Sequence, residues 1–304
     1  MTDANSIRYL EQHEIDKSAW DKCMDQSTNG LIYGYSFYLD HMADHWDGLV
    51  LNDYEAVFPL PWRKKYRIHY LYQPFLTAQL GLFGKEINAL LLNDFLQAIP
   101  KKFKLWEFSL NYANIFPLNE FHLYQRNNYV LDLNRSYEDL YNQYRENSKR
   151  NNKKALQFGC HQVNNFHIDH IIKLVKNQPS PVEEADLARF VNLYYQLKND
   201  GKAKTYGIQS KQGELIASAV FIFSKNRAYY ILVGNHPNGK TLGASHALID
   251  AFIRDHAGQD LILDFEGSDM RSLAFFYSSF GAREEKYAAI KRNMLPWYVR
   301  LFKK

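Results

Sequence analysis

The sequence predicts a mixed α/β fold made of two tandem domains, and three observations carry that reading. The first is the run 227–268, RAYYILVGNHPNGKTLGASHALIDAFIRDHAGQDLILDFEGS, which alternates strand, loop, helix and strand. The second is that this order occurs twice. Glu55-Ala-Val-Phe58 matches Ser218-Ala-Val-Phe221, the helical pattern at 87–99 answers that at 243–256, and Trp106-Glu107-Phe108 answers Leu263-Asp264-Phe265, all at offsets of 156–163 residues. A constant offset in a constant order points to duplication of a whole domain. The third is composition. Aromatic residues make up 15% of the 304 residues, with 22 Tyr and 20 Phe, which suits sheets that bury large side chains. A chain of this length exceeds one ordinary core, so the expected division is 1–125 and 126–304.

In the first half, 6–10 reads as a short strand and 16–26 as a helix capped by Ser or Asp. The pattern at 36–46 reads as a second helix, with His41 and His45 at i and i+4 beside Asp40, Asp44 and Asp47. That spacing suits a metal on one helix face, but no third ligand is identifiable and a solvated charged face explains it as well. No metal is expected. Strands at 49–51, 55–62 and 66–73 form a meander whose turns are Asn52-Asp53 and the basic tip Arg63-Lys64-Lys65. The helix at 87–99 is apolar at 87, 91, 92, 95, 96 and 99 and is stopped by Pro100; a buried strand follows at 105–110.

Residues 121–133 carry one strand out of the first domain and another into the second. Ser136 is placed to cap a helix over 137–158, with Glu138 and Asp139 in its first turn and cations in its last, as the helix dipole favours. Its apolar stripe ends at Asn147, and Lys149, Arg150, Lys153 and Lys154 take over. These form either a solvated face or a contact for a polyanion. His161, His167 and His170 read as structural. Helices at 167–177 and 182–199 flank the Pro179/Pro181 turn, and strands at 205–209, 214–224 and 227–233 form an antiparallel meander. After the 227–268 run come a helix at 270–280, a strand at 287–293 and an aromatic-basic tail, LPWYVRLFKK, expected to pack on the domain.

A hydrophobic content of 46% with 23% charged residues is ordinary for a globular protein. The net charge of +4 favours acidic ligands such as CoA, tRNA or a nucleotide-sugar, and falls short of a dedicated DNA binder. Two distant cysteines, Cys23 and Cys160, an N-terminus without signal-peptide character and no long apolar run lead to the expectation of a cytoplasmic protein with no membrane span.

The loop of the 227–268 run also fits the phosphate-binding pattern GxxxxGK[ST], from Gly234 through Gly239, Lys240 and Thr241. A nucleotide-binding domain would need several further strand–helix units, and only about sixty residues remain, so this nucleotide-binding reading stands third. A helix start is nonetheless a place for an anion, because its first N–H groups have no partner.

The series YYILVG…LGASHALIDAFIRD…LILDFEGS…LAFFYSSFGA resembles the C-terminal half of FemAB-like proteins, within the GNAT superfamily of N-acyltransferases. Tyr277-Ser-Ser-Phe-Gly281 matches that group's Tyr-x-x-x-Gly element, and the basic helix with Arg145, Lys149 and Arg150 resembles the one opening its second half. The resemblance implies two tandem GNAT-like domains, the first degenerate and the second holding the donor site. It implies transfer of an acyl or aminoacyl group from acyl-CoA or aminoacyl-tRNA to a primary amine, such as that of a cell-envelope precursor, with no tightly bound cofactor. Leu232, Val233 and Gly234 would supply a backbone oxyanion contact. Gly239, Lys240, Thr241, Gly243, Ala244 and Ser245 would hold the donor phosphate. Tyr277 would protonate the leaving group, and Lys149, Arg150 and Tyr230 would contact substrate. An amine is protonated at neutral pH and needs a base, for which Glu266 and Asp264 stand nearest in sequence, with capping of the next helix as Asp264's alternative role. The acetyl-CoA loop pattern is only partly present: no Arg or Gln precedes Gly239, and Gly243-Ala244 alone matches. The donor therefore stays open, and a non-catalytic tandem-GNAT scaffold is the alternative reading.

Overall fold

The computed structural model describes residues 6–178, 182–267 and 269–295. The chain divides into two compact units. One contains the residues up to Arg126 and, after the chain has left and returned, those from Lys286 onward; the other is Asn127–Glu285. The first boundary falls beside the expected one. The return is a correction to the assignment of 126–304 to one domain.

The first unit is built from β1 (Ile7–Leu10), α1 (Lys17–Gln26), α2 (Ser36–Met42), β2 (His45–Leu51), β3 (Ala56–Lys65), β4 (Ile68–Tyr72), β5 (Phe83–Gly84), α3 (Ala89–Ala98) and β6 (Phe103–Ser109). Asp16 caps α1 by accepting from Ser18 and Ala19 N–H, and Asn88 caps α3 through Leu91 N–H. β1, β2, β3 and β4 pair antiparallel in sequence order, and β6 then joins β4 in parallel. Asp44 and His45 lie outside the helix expected at 36–46, which ends at Met42. His45 instead stacks on Trp62 at 4.4 Å, so the two histidines do not share a helix face.

The second unit follows β7 (Leu123–Asp132), α4 (Tyr137–Asn142), α5 (Glu146–Gln157), β8 (His161–Asn164), α6 (Asp169–Lys176), α7 (Glu184–Asn199), β9 (Ala203–Gln209), β10 (Leu215–Ser224), β11 (Arg227–Asn235), α8 (Pro237–Leu242), α9 (Ala244–His256), β12 (Ile262–Asp264) and α10 (Arg271–Ser278). Ser136 caps α4 by accepting from Asp139 N–H. The helix expected over 137–158 is two helices, α4 and α5, with Gln143 closing the first. β8, β9, β10 and β11 pair antiparallel, and β12 joins β11 in parallel.

Both units thus have the same strand order, four antiparallel strands and then a parallel fifth. The second unit is closed by β7, which in sequence directly follows β6 of the first, and the first unit is closed by β13 (Arg283–Asn293), which follows every element of the second. β7 pairs antiparallel with β12, Leu131 opposite Leu263, and β13 pairs antiparallel with β6, Ile290 opposite Phe108. This is the tandem GNAT-like architecture, duplicated with exchanged closing strands. The first core centres on Phe58, Phe95, Phe103 and Leu92 and takes in Ala288 and Ile290 of β13; the second centres on Phe221, Phe252, Ile249 and Leu263. No described helix is long and apolar enough to cross a membrane. The Pro179/Pro181 turn and the tail beyond Leu295 lie outside the described residues.

Candidate active site

The site begins with a fault in a strand. β11 runs Arg227–Asn235, but its register against β10 slips between Ala219 and Val220, and Leu232 is the extra residue, at φ 47°. Such a bulge leaves its residue out of the ladder and bends the strand. On the other side, β11 pairs with β12 only from Arg227 to Tyr229, opposite Ile262 to Asp264. Past that point β12 ends while β11 continues. The parallel strands therefore part at their carboxyl ends, where α/β sheets commonly place ligands.

A cavity of about 470 Å³ opens there, a size suited to a small molecule or the reactive end of a larger one. Tyr230, Val233, Gly239, Lys240, Gly243, Ser245 and Tyr277 line it. They come from β11, α8, the α8–α9 junction and α10. Gln178, Asn235, His246, Ser272, Leu273 and Phe276 complete the wall. Gln178 donates from Nε2 to the Val233 carbonyl at 3.1 Å, tying the end of α6 to the bulged strand. Ser245 Oγ donates to Asn235 Oδ1 at 3.0 Å and fixes the start of α9 against β11.

Tyr277 is buried, its ring stacked on Phe265 at 4.7 Å and set edge-on to Tyr230 at 6.5 Å. Burial, followed by the charge of Glu266, raises its hydroxyl above the usual tyrosine range, so it stays protonated and able to donate. Tyr230 is raised too, by burial and then by Tyr277. His246 sits edge-on to Phe276 at 4.8 Å, and burial lowers its imidazole to about 4. Its Nε2 is buried with no hydrogen-bond partner among the described residues. A neutral imidazole in the wall of a cavity is a polar group held for a ligand or a water to satisfy.

One expectation needs correction. The segment expected as a phosphate loop before a helix at 241–256 is itself helical: α8 covers Pro237–Leu242, Gly243 turns the chain at φ 75°, and α9 starts at Ala244. The glycines of the GxxxxGK[ST] pattern answer to packing. A Cβ on Gly234 would lie 2.9 Å from Leu174 Cβ and one on Gly239 would lie 2.2 Å from the Ile216 carbonyl; just beyond the pattern, one on Gly243 would lie 2.5 Å from the Asn151 carbonyl. No phosphate-wrapping loop is formed, and the nucleotide-binding reading falls. Of the residues assigned to the donor, Thr241 is exposed outside the cavity lining, whereas Leu232, Gly234 and Ala244 are buried behind it.

Asp264 is buried, with Oδ2 2.6 Å from Arg227 and Oδ1 accepting from Asn128 Nδ2 at 2.9 Å and from Glu266 N–H at 2.8 Å. Arg227 also forms a two-pronged pair with Glu285, 3.0 Å on each arm. Burial opposes the arginine's charge, but Asp264 and Glu285 outweigh it and hold the guanidinium firmly protonated. Asp264 thus has both carboxylate oxygens committed within the fold. Its bond to Glu266 N–H holds that residue at φ 59°, in a bend continued by Gly267 at φ 83°. Glu266 is half-buried and lies outside the cavity lining, although its charge helps to raise the Tyr277 hydroxyl. Lys149 and Arg150 lie away from this cavity, in a groove on α5 with Lys153 and Lys154.

The fold and this wedge define the class: a protein of the FemAB-like, tandem GNAT fold. Among solved structures, FemX aligns over 97% of this chain and 99% of its own at a TM-score of 0.62 and 12% identity. L-PGS from Bacillus licheniformis aligns over 94% of both chains at 0.55 and 10%, and a tandem GNAT protein from the clavulanic acid biosynthesis pathway over 96% and 99% at 0.53 and 9%. No family model and no curated protein matches the sequence. At such identities the likeness is one of fold.

Proposed function

We propose that the chain is an N-acyltransferase that moves an acyl or aminoacyl group from an activated donor to a primary amine. The observation that carries the reading is the parting of β11 from β12 beyond Tyr229, just before the Leu232 bulge, with a protonated tyrosine lining the cavity there. In this reading the donor carbonyl lies against the backbone of β11 at Leu232–Gly234. N–H groups there take up the negative charge that develops on the oxygen as the amine attacks, worth about 3 kcal/mol in other oxyanion holes. Glu266 accepts the amine proton, directly or through a water. The Tyr277 hydroxyl returns a proton to the departing oxygen or sulfur. Tyr230 packs beside the reacting carbonyl, and Lys240, Ser245 and the first turn of α9 hold the donor's phosphate. Lys149 and Arg150 contact a polyanionic partner, and the work is cytoplasmic, on a small amine or cell-envelope precursor.

The donor is acyl-CoA or aminoacyl-tRNA. The support for leaving both in place is that α8 stands where a glycine-rich pyrophosphate loop was expected. The test is a thermal-shift panel of acetyl-CoA, a long-chain acyl-CoA, charged tRNA and Mg-ATP, followed by mass spectrometry of an amine mixture with whichever donor binds. A ligand at a hundredfold its Kd stabilises by about 2.7 kcal/mol. Binding that is lost in Lys240→Ala, with product formation lost in Tyr277→Phe, supports the transferase. Binding without product in the unaltered protein turns the reading to a scaffold.

A further inference from the structure

The five large apolar side chains exposed among the described residues of the second unit are Leu156, Phe158, Met270, Leu273 and Phe275. They occupy two places, the C-terminal end of α5 and the outer side of α10 with its cap. Leu156 is 71% exposed and Met270 62%. Between these places runs the cationic stripe of α5. Lys149, Arg150, Lys153 and Lys154 line an open groove that ends at Phe158. α5 is 12 residues, about 18 Å, long, and the four cations occupy its middle turns.

α10 is anchored at the N-terminal end of α5, and the cationic stripe leads from there to Leu156 and Phe158. Arg145, which opens α5, lays its guanidinium over the Phe275 ring at 4.9 Å and donates its backbone N–H to the Ser279 carbonyl at 2.9 Å. Ser148 and Ser279 share a hydroxyl–hydroxyl bond at 2.6 Å. Leu273 is both an exposed residue of this face and part of the cavity wall, so the cavity opens on its margin.

We propose that this α5–α10 face docks on an anionic membrane surface, its cations on lipid phosphates and Leu156, Phe158, Met270 and Phe275 in the interfacial layer. A cationic stripe flanked by exposed apolar side chains combines the two attractions that hold a protein at an anionic interface. A nucleic acid would account for the lysines, and Phe158 and Phe275 would offer stacking surfaces. Leu156, Met270 and Leu273 are aliphatic, have no face for a base, and gain nothing from that partner. Docking would bring the cavity mouth to the level of the headgroups. The surface holds or fails independently of the chemistry proposed for the cavity.

The experiment is co-sedimentation of the full chain with phosphatidylcholine vesicles, with and without about 30% phosphatidylglycerol, at low and high salt. The expected result is sedimentation with the anionic vesicles only, weakening with salt. The double variant Lys153→Glu/Lys154→Glu lowers partitioning at least ~tenfold. The variant Leu156→Ser/Phe158→Ser lowers it several-fold without altering the charge. Lys153, Leu156 and Phe158 are exposed and Lys154 half-exposed on α5 and its cap, and an unchanged melting temperature establishes that the variants are folded. The proposal is overturned if the anionic vesicles retain no protein, or if the apolar variant binds them as well as the original. Retention of bulk tRNA without vesicle binding also overturns it, in favour of a nucleic-acid groove.

Discussion

Tyr277 and His246 share a cavity and are held in opposite ways by the same cause. Burial keeps the proton on the tyrosine and keeps it off the histidine. Tyr277→Phe retains the ring on Phe265, so its melting temperature should stay close to the original while kcat falls about a hundredfold in a transfer assay. A parallel loss of stability would mean the hydroxyl is structural. His246 makes a prediction about pH. Above its ordinary value of 6.5 it is neutral in both folded and unfolded chains and adds nothing. Between 6.5 and about 4 the unfolded chain takes up a proton that the folded one refuses, so stability falls as pH drops. The full difference is on the order of 3 kcal/mol. His246→Leu should therefore gain on the original protein as unfolding is followed from pH 7 to 4.5. A constant difference across that range would refute it. The sequence offered Tyr277 through its Tyr-x-x-x-Gly setting. It offered His246 nothing of the kind, because one histidine in LGASHALID reads the same whether its helix face meets a core or a cavity.

At the scale of elements, the wedge depends on supports that are not themselves reactive. The Arg227 pair with Asp264 and Glu285 holds the base of β11 to β12 before the strands part. Arg227→Met leaves two buried carboxylates without their cation, and denaturant unfolding should show a loss of about 3–5 kcal/mol. Gly243 marks the α8–α9 turn, where φ is 75° and the Asn151 carbonyl leaves no room for a Cβ. Gly243→Ala should cost about 1–3 kcal/mol and shift the start of α9. The variant is therefore a poor probe of ligand binding, for which Lys240→Ala is cleaner. Glycines that match a phosphate-binding expression and glycines that let two backbones touch are identical as letters. That is why the GxxxxGK[ST] pattern by itself could not name a nucleotide site.

At the scale of the whole chain, the first unit is finished by β13, a strand from the far end of the sequence. Ile290 is fully buried in the core of the first unit although it follows the entire second unit in sequence. Ile290→Ala should cost about 2–5 kcal/mol, and hydrogen exchange should locate the loosening in β4 and β6 of the first unit. Protection lost in β9–β11 instead would contradict the exchanged-strand topology.

The sequence by itself determined the fold class, the duplication and nearly every strand and helix of the second unit. These follow from hydrophobic periodicity and turn residues, which act between near neighbours and leave a local mark. It also brought forward Tyr230, Val233, Gly239, Lys240, Gly243, Ser245 and Tyr277, which the cavity gathers. Only the tertiary structure decided that Asp264 is an ion-pair partner, that Gln178 and His246 face the cavity, that His45 leaves its helix for a strand, and that β13 closes the first unit. Each of these depends on what a distant part of the chain brings alongside. Charge pairing, burial and strand exchange are properties of neighbours in space, and the order of residues does not name those neighbours.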